Sequence, residues 1–215
     1  MEEQSTGLSR SEKKREQIRT AARQLFLQHG FQGTSTDAIM AAAGIASKET
    51  LYRYFPTKEE LFVSVARDLT VERPPLQELI SRPPTPQNPE ELRKSIQAVV
   101  QAILSNMLQP DYLAVMRIII AELPRFPRLG ELYQQAVPAR AIEYLTALIR
   151  NGQASGIVDK RKEPEMIGRM LLGTLLTYGI FDGLLQGDSA PRLPPASSIN
   201  SLIDNMIELL SVEKE

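Results

Sequence analysis

Residues 34–62 read TSTDAIMAAAGIASKETLYRYFPTKEELF, and their spacing predicts two short helices joined by a glycine turn, with a third, capped helix behind them. Thr34, Ser35 and Thr36 offer hydroxyl oxygens to the unsatisfied N–H groups of a helix start, and Asp37 sets a negative charge in the first turn, where the helix dipole favours it. Ile39, Met40 and Ala43 recur at three- and four-residue spacing as a buried stripe, and Gly44 supplies the positive φ that ends the helix. Ser47 can cap a second helix that buries Leu51 and Phe55 on one face and carries Lys48, Thr50, Tyr52 and Tyr54 mostly on others. Pro56 stops that helix near Phe55, and Thr57 caps the next one, with Glu59 and Glu60 in its first turn and Glu60 at the capping-box position.

A short helix, a glycine turn and a second helix are the geometry of a helix-turn-helix, in which the second helix enters the major groove of DNA and the first braces it. The charge distribution agrees. Net charge is −1 over 215 residues, yet Leu8 to Lys58 hold nine cations against four anions and leave the rest of the chain acidic. Phosphate contacts need mobile cations flanking the groove, the role expected of Arg10, Lys13, Lys14 and Lys58. The candidate DNA-binding set is completed by Thr34, Ser35, Thr36, Ser47, Lys48, Thr50, Tyr52 and Tyr54, with Lys48, Thr50 and Tyr52 foremost.

The run TLYRYFPTKEELF, preceded by AAAGI and further back by LFLQHGFQGTST, closely resembles the N-terminal domain of the TetR family of transcriptional repressors over about residues 12–68. The family pattern has six residues between the turn glycine and the tyrosine matching Tyr52, whereas Ile45 to Leu51 make seven here. Either the turn is longer by one or the recognition helix starts later, so Ala46, Ser47 and Lys48 all compete for the family's first base-contacting position.

Outside this stretch the helical pattern continues with no alternating strand, so the expected fold is all-α: an N-terminal three-helix DNA-binding domain plus a larger C-terminal helical domain. A first helix is expected from about Ser11 to Gln28, burying Ile18, Ala22, Leu25 and Phe26, with His29 favouring the dipole at its end beside Gly30. Six prolines between Pro74 and Pro89 mark a connecting loop, which divides the chain into residues 1–68, a connection at 69–88, and 89–215. Beyond it, Asn88 caps a helix running to about Leu108, and further helices are expected near 110–123, 127–137, 138–154, 163–186 and 197–212.

The segments RIIIAELPRFPRLGELY and PARAIEYL resemble the regulatory domain of AefR-like TetR repressors. That resemblance implies an inducer pocket and a dimer interface in the second domain. Tyr112, Met116, Phe126, Tyr133, Tyr144, Met170, Tyr178 and Phe181 are large, adaptable or amphipathic side chains suited to such a ligand-binding cavity, although residues of this kind at helical spacing also serve as plain core. The last two helices, MIGRMLLGTLLTYGIFDGLL and INSLIDNMIELL, are too apolar to face solvent, and Gly168, Gly173, Gly179 and Gly183 would let a partner helix approach closely. A homodimer through these helices is the expectation. Arg169, Asp182 and the glycines argue against a membrane span.

Composition excludes several chemistries. Zero cysteines remove disulfides, thiolate metal sites and cysteine nucleophiles, and one histidine leaves little scope for imidazole catalysis. No enzyme, metal or cofactor is expected. Neither an eighteen-residue apolar run nor a secretory leader is present, so the cytoplasm is the expected location. The expected function is a ligand-responsive repressor, binding a palindromic double-stranded DNA operator as a homodimer and released by a small apolar or amphipathic inducer. The alternative is a ligand-independent DNA-architectural or protein-interaction dimer.

Overall fold

The computed structural model describes residues 9–74, 76–186 and 190–212. The protein is all-α, and no strand occurs among the described residues. Its helices are α1 (Arg10–Gly33), α2 (Thr36–Ala42), α3 (Lys48–Tyr54), α4 (Lys58–Asp68), α5 (Leu76–Ser81), α6 (Pro89–Met107), α7 (Pro110–Glu122), α8 (Pro127–Ala136), α9 (Pro138–Ala154), α10 (Pro164–Tyr178) and α11 (Ala196–Leu210). Proline opens every helix from α6 to α10, where its fixed φ suits the first turn and its missing N–H costs nothing. Asn88 accepts from the Glu91 N–H to cap α6. Beyond Tyr178 the segment expected to be one helix to residue 186 changes character, passing through a π-helical turn at Gly179–Gly183 and a 3₁₀ turn at Leu184–Gln186.

The chain divides into two compact units. The first comprises residues 1–66 together with 118–132, and the second comprises 67–117 and 133–215. The first unit is built on an aromatic nucleus. Phe26, Phe31 and Phe62 are fully buried, with ring centroids 5.8 Å apart for Phe26–Phe31, 5.1 Å for Phe26–Phe62 and 5.5 Å for Phe31–Phe62. The stacked Phe26–Phe31 pair and the two edge-to-face pairs made by Phe62 add to the large apolar area that each ring removes from water. Phe126 joins the nucleus edge-on to Phe31 at 5.0 Å, and Leu129 of α8 is fully buried. Part of the segment that resembles a regulatory domain therefore packs with the DNA-reading helices.

The second unit is built around an apolar core. Ile96, Val99, Val100 and Leu104 of α6 meet Leu145 and Leu148 of α9, Leu171 and Leu175 of α10, and Ile203 and Leu210 of α11. Two glycines sit where α10 and the turn after it approach their neighbours. A Cβ on Gly168 would lie 3.2 Å from Leu145 Cβ, and one on Gly183 would lie 2.8 Å from a Leu113 methyl. Gly179 likewise faces Met107, so these three glycines serve packing within the chain rather than across a partner, and only Gly173 of the expected four has open space beside it. The proline-rich stretch is not wholly loop. It contains α5, whose Leu76 is buried in the second unit, and Asn151 holds the following turn by donating to the Pro84 carbonyl at 3.0 Å.

Candidate nucleic-acid interface and cavity

Local sequence builds α1 to α4 in the way a helix-turn-helix requires. Ser9 and Glu12 form a reciprocal capping box at the start of α1. Near its end Gly30 has φ 71°, a left-handed conformation that breaks the helix. Ser35 caps α2 by accepting from the Ala38 N–H at 3.0 Å, Gly44 turns the chain at φ 57°, Ser47 caps α3 through the Thr50 N–H, and Thr57 caps α4 through the Glu60 N–H. The turn between α2 and α3 spans Ala43 to Ser47, with Ile45 buried beneath it, so Lys48 is the first helical residue of α3.

Helix α3 buries Leu51 and leaves Lys48, Glu49, Tyr52 and Arg53 exposed, with Tyr52 at 42%. Lys48 and Tyr52, four residues apart, share one side. Lys48 Nζ reaches Asp37 at 3.0 Å across the turn, an exposed pair of little energetic weight that phosphate can displace. Thr50 is half-buried, its hydroxyl 3.0 Å from Ser47 Oγ, and Tyr54 is half-buried under the Arg53 guanidinium at 5.5 Å. Arg53 was not among the expected ligands. Its exposure at the end of α3 makes it a further candidate, for which its positive charge was the only sequence signal.

On the flanks, Arg10 and Lys13 are exposed, and Lys14 is half-buried with its ammonium 3.0 Å from Gln17 Oε1. Ser35 is exposed and Thr36 half-buried at the start of α2. Two expected ligands sit differently. Thr34 is buried, its hydroxyl 2.8 Å from the Gly30 carbonyl and 3.0 Å from that of Leu25, where it satisfies oxygens freed by the break in α1. That hydroxyl is engaged as a structural clasp inside the unit. Lys58 lies with its ammonium 4.4 Å from the centre of the Phe31 ring, and partial burial lowers its pKa against the opposing pull of Glu59 and Glu122. The ring face stabilises the cation there. Lys14→Ala should weaken binding to all duplexes alike and reduce the slope of log affinity against log salt by about one unit per protomer, as read by anisotropy titrations across salt.

The second unit contains an apolar cavity of about 160 Å³, lined in part by Tyr112, Met116, Tyr133, Asn106, Ala141 and Leu172. Three of the eight expected cavity residues line it. Of the others, Phe126 is committed to the aromatic nucleus of the first unit, and Met170 and Phe181 point outward at 48% and 61% exposure. Tyr144 is buried at a separate cleft beside Arg67 and Arg140, and Tyr178 packs half-buried against the core. The outward residues belong instead to an apolar stripe, Met166, Met170, Leu176, Ile180, Phe181 and Leu185, running along α10 and the turns after it. Asn106, a polar residue at the edge of the α6 stripe, was missed by the sequence reading, although an amide beside Ile103 and Met107 was the available signal.

Residues 18–65 match the family model of bacterial regulatory proteins of the tetR family, and residues 94–210 match that of the AefR-like transcriptional repressor C-terminal domain. The chain belongs to the TetR family. It is a DNA-binding transcriptional regulator with a helix-turn-helix. Over 56 residues it is 41% identical to the HTH-type transcriptional regulator RutR of Escherichia coli K12, a match covering 26% of either chain. Among solved structures, a TetR-family regulator from Mesorhizobium loti aligns at TM-score 0.69 and 22% identity, covering 94% of this chain and 96% of that one. The flavonoid-responsive regulator FrrA aligns at TM-score 0.64 and 28% identity, covering 91% and 94%. No group of three metal-binding side chains occurs among the described residues, and no described helix is long and apolar enough to cross a membrane.

Proposed function

We propose that this TetR-family regulator binds a palindromic double-stranded operator as a homodimer in the cytoplasm and is released from it by a small-molecule inducer. The observation that carries the reading is the exposed side of α3, where Lys48, Tyr52 and Arg53 stand clear of the core behind a basic α1. The apolar stripe of α10 supports the dimer, because a run containing Phe181 at 61% and Leu185 at 68% exposure is unfavourable in water and is buried when two copies form a four-helix bundle with α11. Two recognition helices about 34–36 Å apart then meet successive major grooves. Ligand in the 160 Å³ cavity alters that spacing through α4, whose C-terminal continuation, Thr70 and Val71, lines the cavity wall. The ligand response of FrrA supports an effector of some kind.

Phe181→Asp tests the dimer. Sedimentation velocity should show a monomer at micromolar concentration, and affinity for a two-half-site duplex should fall at least about a hundredfold as the second half-site becomes a separate binding event. An intact dimer with unchanged affinity contradicts the assignment of the α10 stripe.

A further inference from the structure

We infer that the cavity of the second unit takes a neutral hydrocarbon about the size of one aromatic ring, and turns away carboxylates and hydroxyl-bearing molecules of the same size. The inference rests on the ligand-responsive reading above and adds the chemical class of the ligand. Size comes first. A cavity of about 160 Å³ is close to the roughly 150 Å³ apolar void that accepts benzene, and it is far below the pockets of roughly 300 Å³ or more that hold drug-sized ligands. Met107 and Met116 in the wall can adjust to the outline of one ring, and thioether sulfur is attracted to aromatic rings.

Charge comes second. Among the described residues that line the cavity, none is Asp, Glu, Lys, Arg or His. A carboxylate or ammonium entering it would lose its hydration with no countercharge to replace it, so ionised ligands are rejected. An amphipathic molecule with a charged head is excluded on the same ground.

Hydrogen bonding comes third and separates a hydrocarbon from its polar analogues. The wall has four polar side chains, Thr70, Asn106, Tyr112 and Tyr133, and each is turned to the protein. Thr70 Oγ1 donates to the Arg67 carbonyl at 3.3 Å, and Asn106 Nδ2 donates to the Thr70 carbonyl at 3.0 Å, while Asn106 Oδ1 is buried away from any accessible surface. The Tyr112 and Tyr133 hydroxyls lie 3.4 Å apart and bond one to the other, and burial raises the pKa of both, which keeps the pair neutral. Almost all of the surface that faces the cavity is therefore apolar. A hydroxyl carried into it gives up its bonds to water and gains little in return, whereas a hydrocarbon gives up none.

The test measures binding of toluene, phenol and benzoate to the purified full-length protein without DNA, by titration calorimetry in a sealed cell and by the rise in melting temperature. Toluene and phenol share one outline, so their ratio isolates the hydroxyl. Toluene should bind at millimolar concentration or below, phenol should bind at least about fivefold more weakly because its hydroxyl is buried without a partner, and benzoate should not bind over the same range. Ala141→Phe, which fills the cavity from α9, should abolish toluene binding, with far-UV circular dichroism reporting the fold, and Ala141→Leu, a smaller filling, should weaken it. Phenol or benzoate binding as tightly as toluene, no toluene binding at all, or toluene binding undiminished in either folded variant overturns the inference. Because no DNA is present, such a failure is distinct from failure of the regulator reading, which would appear as loss of operator binding in the untreated protein.

Discussion

Tyr52→Ala should lower affinity for a specific operator by roughly 30-fold to more than 10⁴-fold, while leaving the melting temperature and the oligomeric state unchanged. The size follows from the loss of a base-edge or phosphate contact worth about 1–3 kcal/mol in each half-site, doubled in a homodimer. The separation from stability follows from burial. Tyr52 is 42% exposed on the outer side of α3, while Leu51 and Phe55 beside it, at 2% exposure each, hold the helix to the core. Truncating Tyr52 therefore removes a group from the interface and leaves no cavity behind it. Tyr52→Phe separates the two parts of the side chain: affinity retained by the ring assigns it a packing role against the groove, and affinity lost with the hydroxyl assigns a hydrogen bond. Electrophoretic mobility and anisotropy assays give the affinity, and circular dichroism melting gives the stability. Unchanged operator affinity in Tyr52→Ala removes this residue from the site.

Phe62→Ala acts on the opposite side of the same unit and should destabilise it by about 3–5 kcal/mol. Phe62 is fully buried and edge-on to both Phe26 and Phe31, with interplanar angles of 77° and 83°. Its loss removes a whole ring from a close-packed nucleus whose neighbours are themselves aromatic and cannot collapse into the space. Against a total stability of about 5–15 kcal/mol for a domain, that loss brings the DNA-reading unit close to unfolding at growth temperature. Urea denaturation followed by circular dichroism should show the midpoint of the first transition shifted sharply down, and Phe62→Leu should recover most of it. A cost below about 1 kcal/mol contradicts the aromatic nucleus as the centre of this unit.

Much of this architecture is legible in the chain because helix ends are written in local chemistry. Ser9, Ser35, Ser47, Thr57 and Asn88 all cap the helices that follow them, Gly44 adopts positive φ at the turn, and a proline opens each helix from α6 to α10. What periodicity does not carry is which surface an apolar residue faces once several surfaces are available. Phe126, Met170 and Phe181 are alike as sequence, yet one packs into an aromatic nucleus and the other two face outward along α10. The same limit hid the docking of residues 118–132 with the first unit, which depends on contacts between Phe126 and Phe31 that are ninety-five positions apart in the chain. Thr34 shows a related limit: a hydroxyl before a helix suggests a cap, but Ser35 caps α2 and the carbonyls of Leu25 and Gly30 draw the Thr34 hydroxyl inward. Gly168, Gly179 and Gly183 were expected to admit a partner helix, but each abuts a side chain of its own chain, Leu145, Met107 and Leu113, a neighbour that the local sequence does not name.

Whether α3 reads a specific DNA sequence is decided by selecting bound duplexes from a random pool with the purified protein, run beside Tyr52→Ala. Successive rounds should enrich one palindromic motif, with half-site centres separated by one duplex turn of about 10 base pairs or a multiple of it, and Tyr52→Ala should enrich no such motif. A wild-type pool that stays random after repeated rounds, or a motif selected equally by both proteins, contradicts sequence reading by α3.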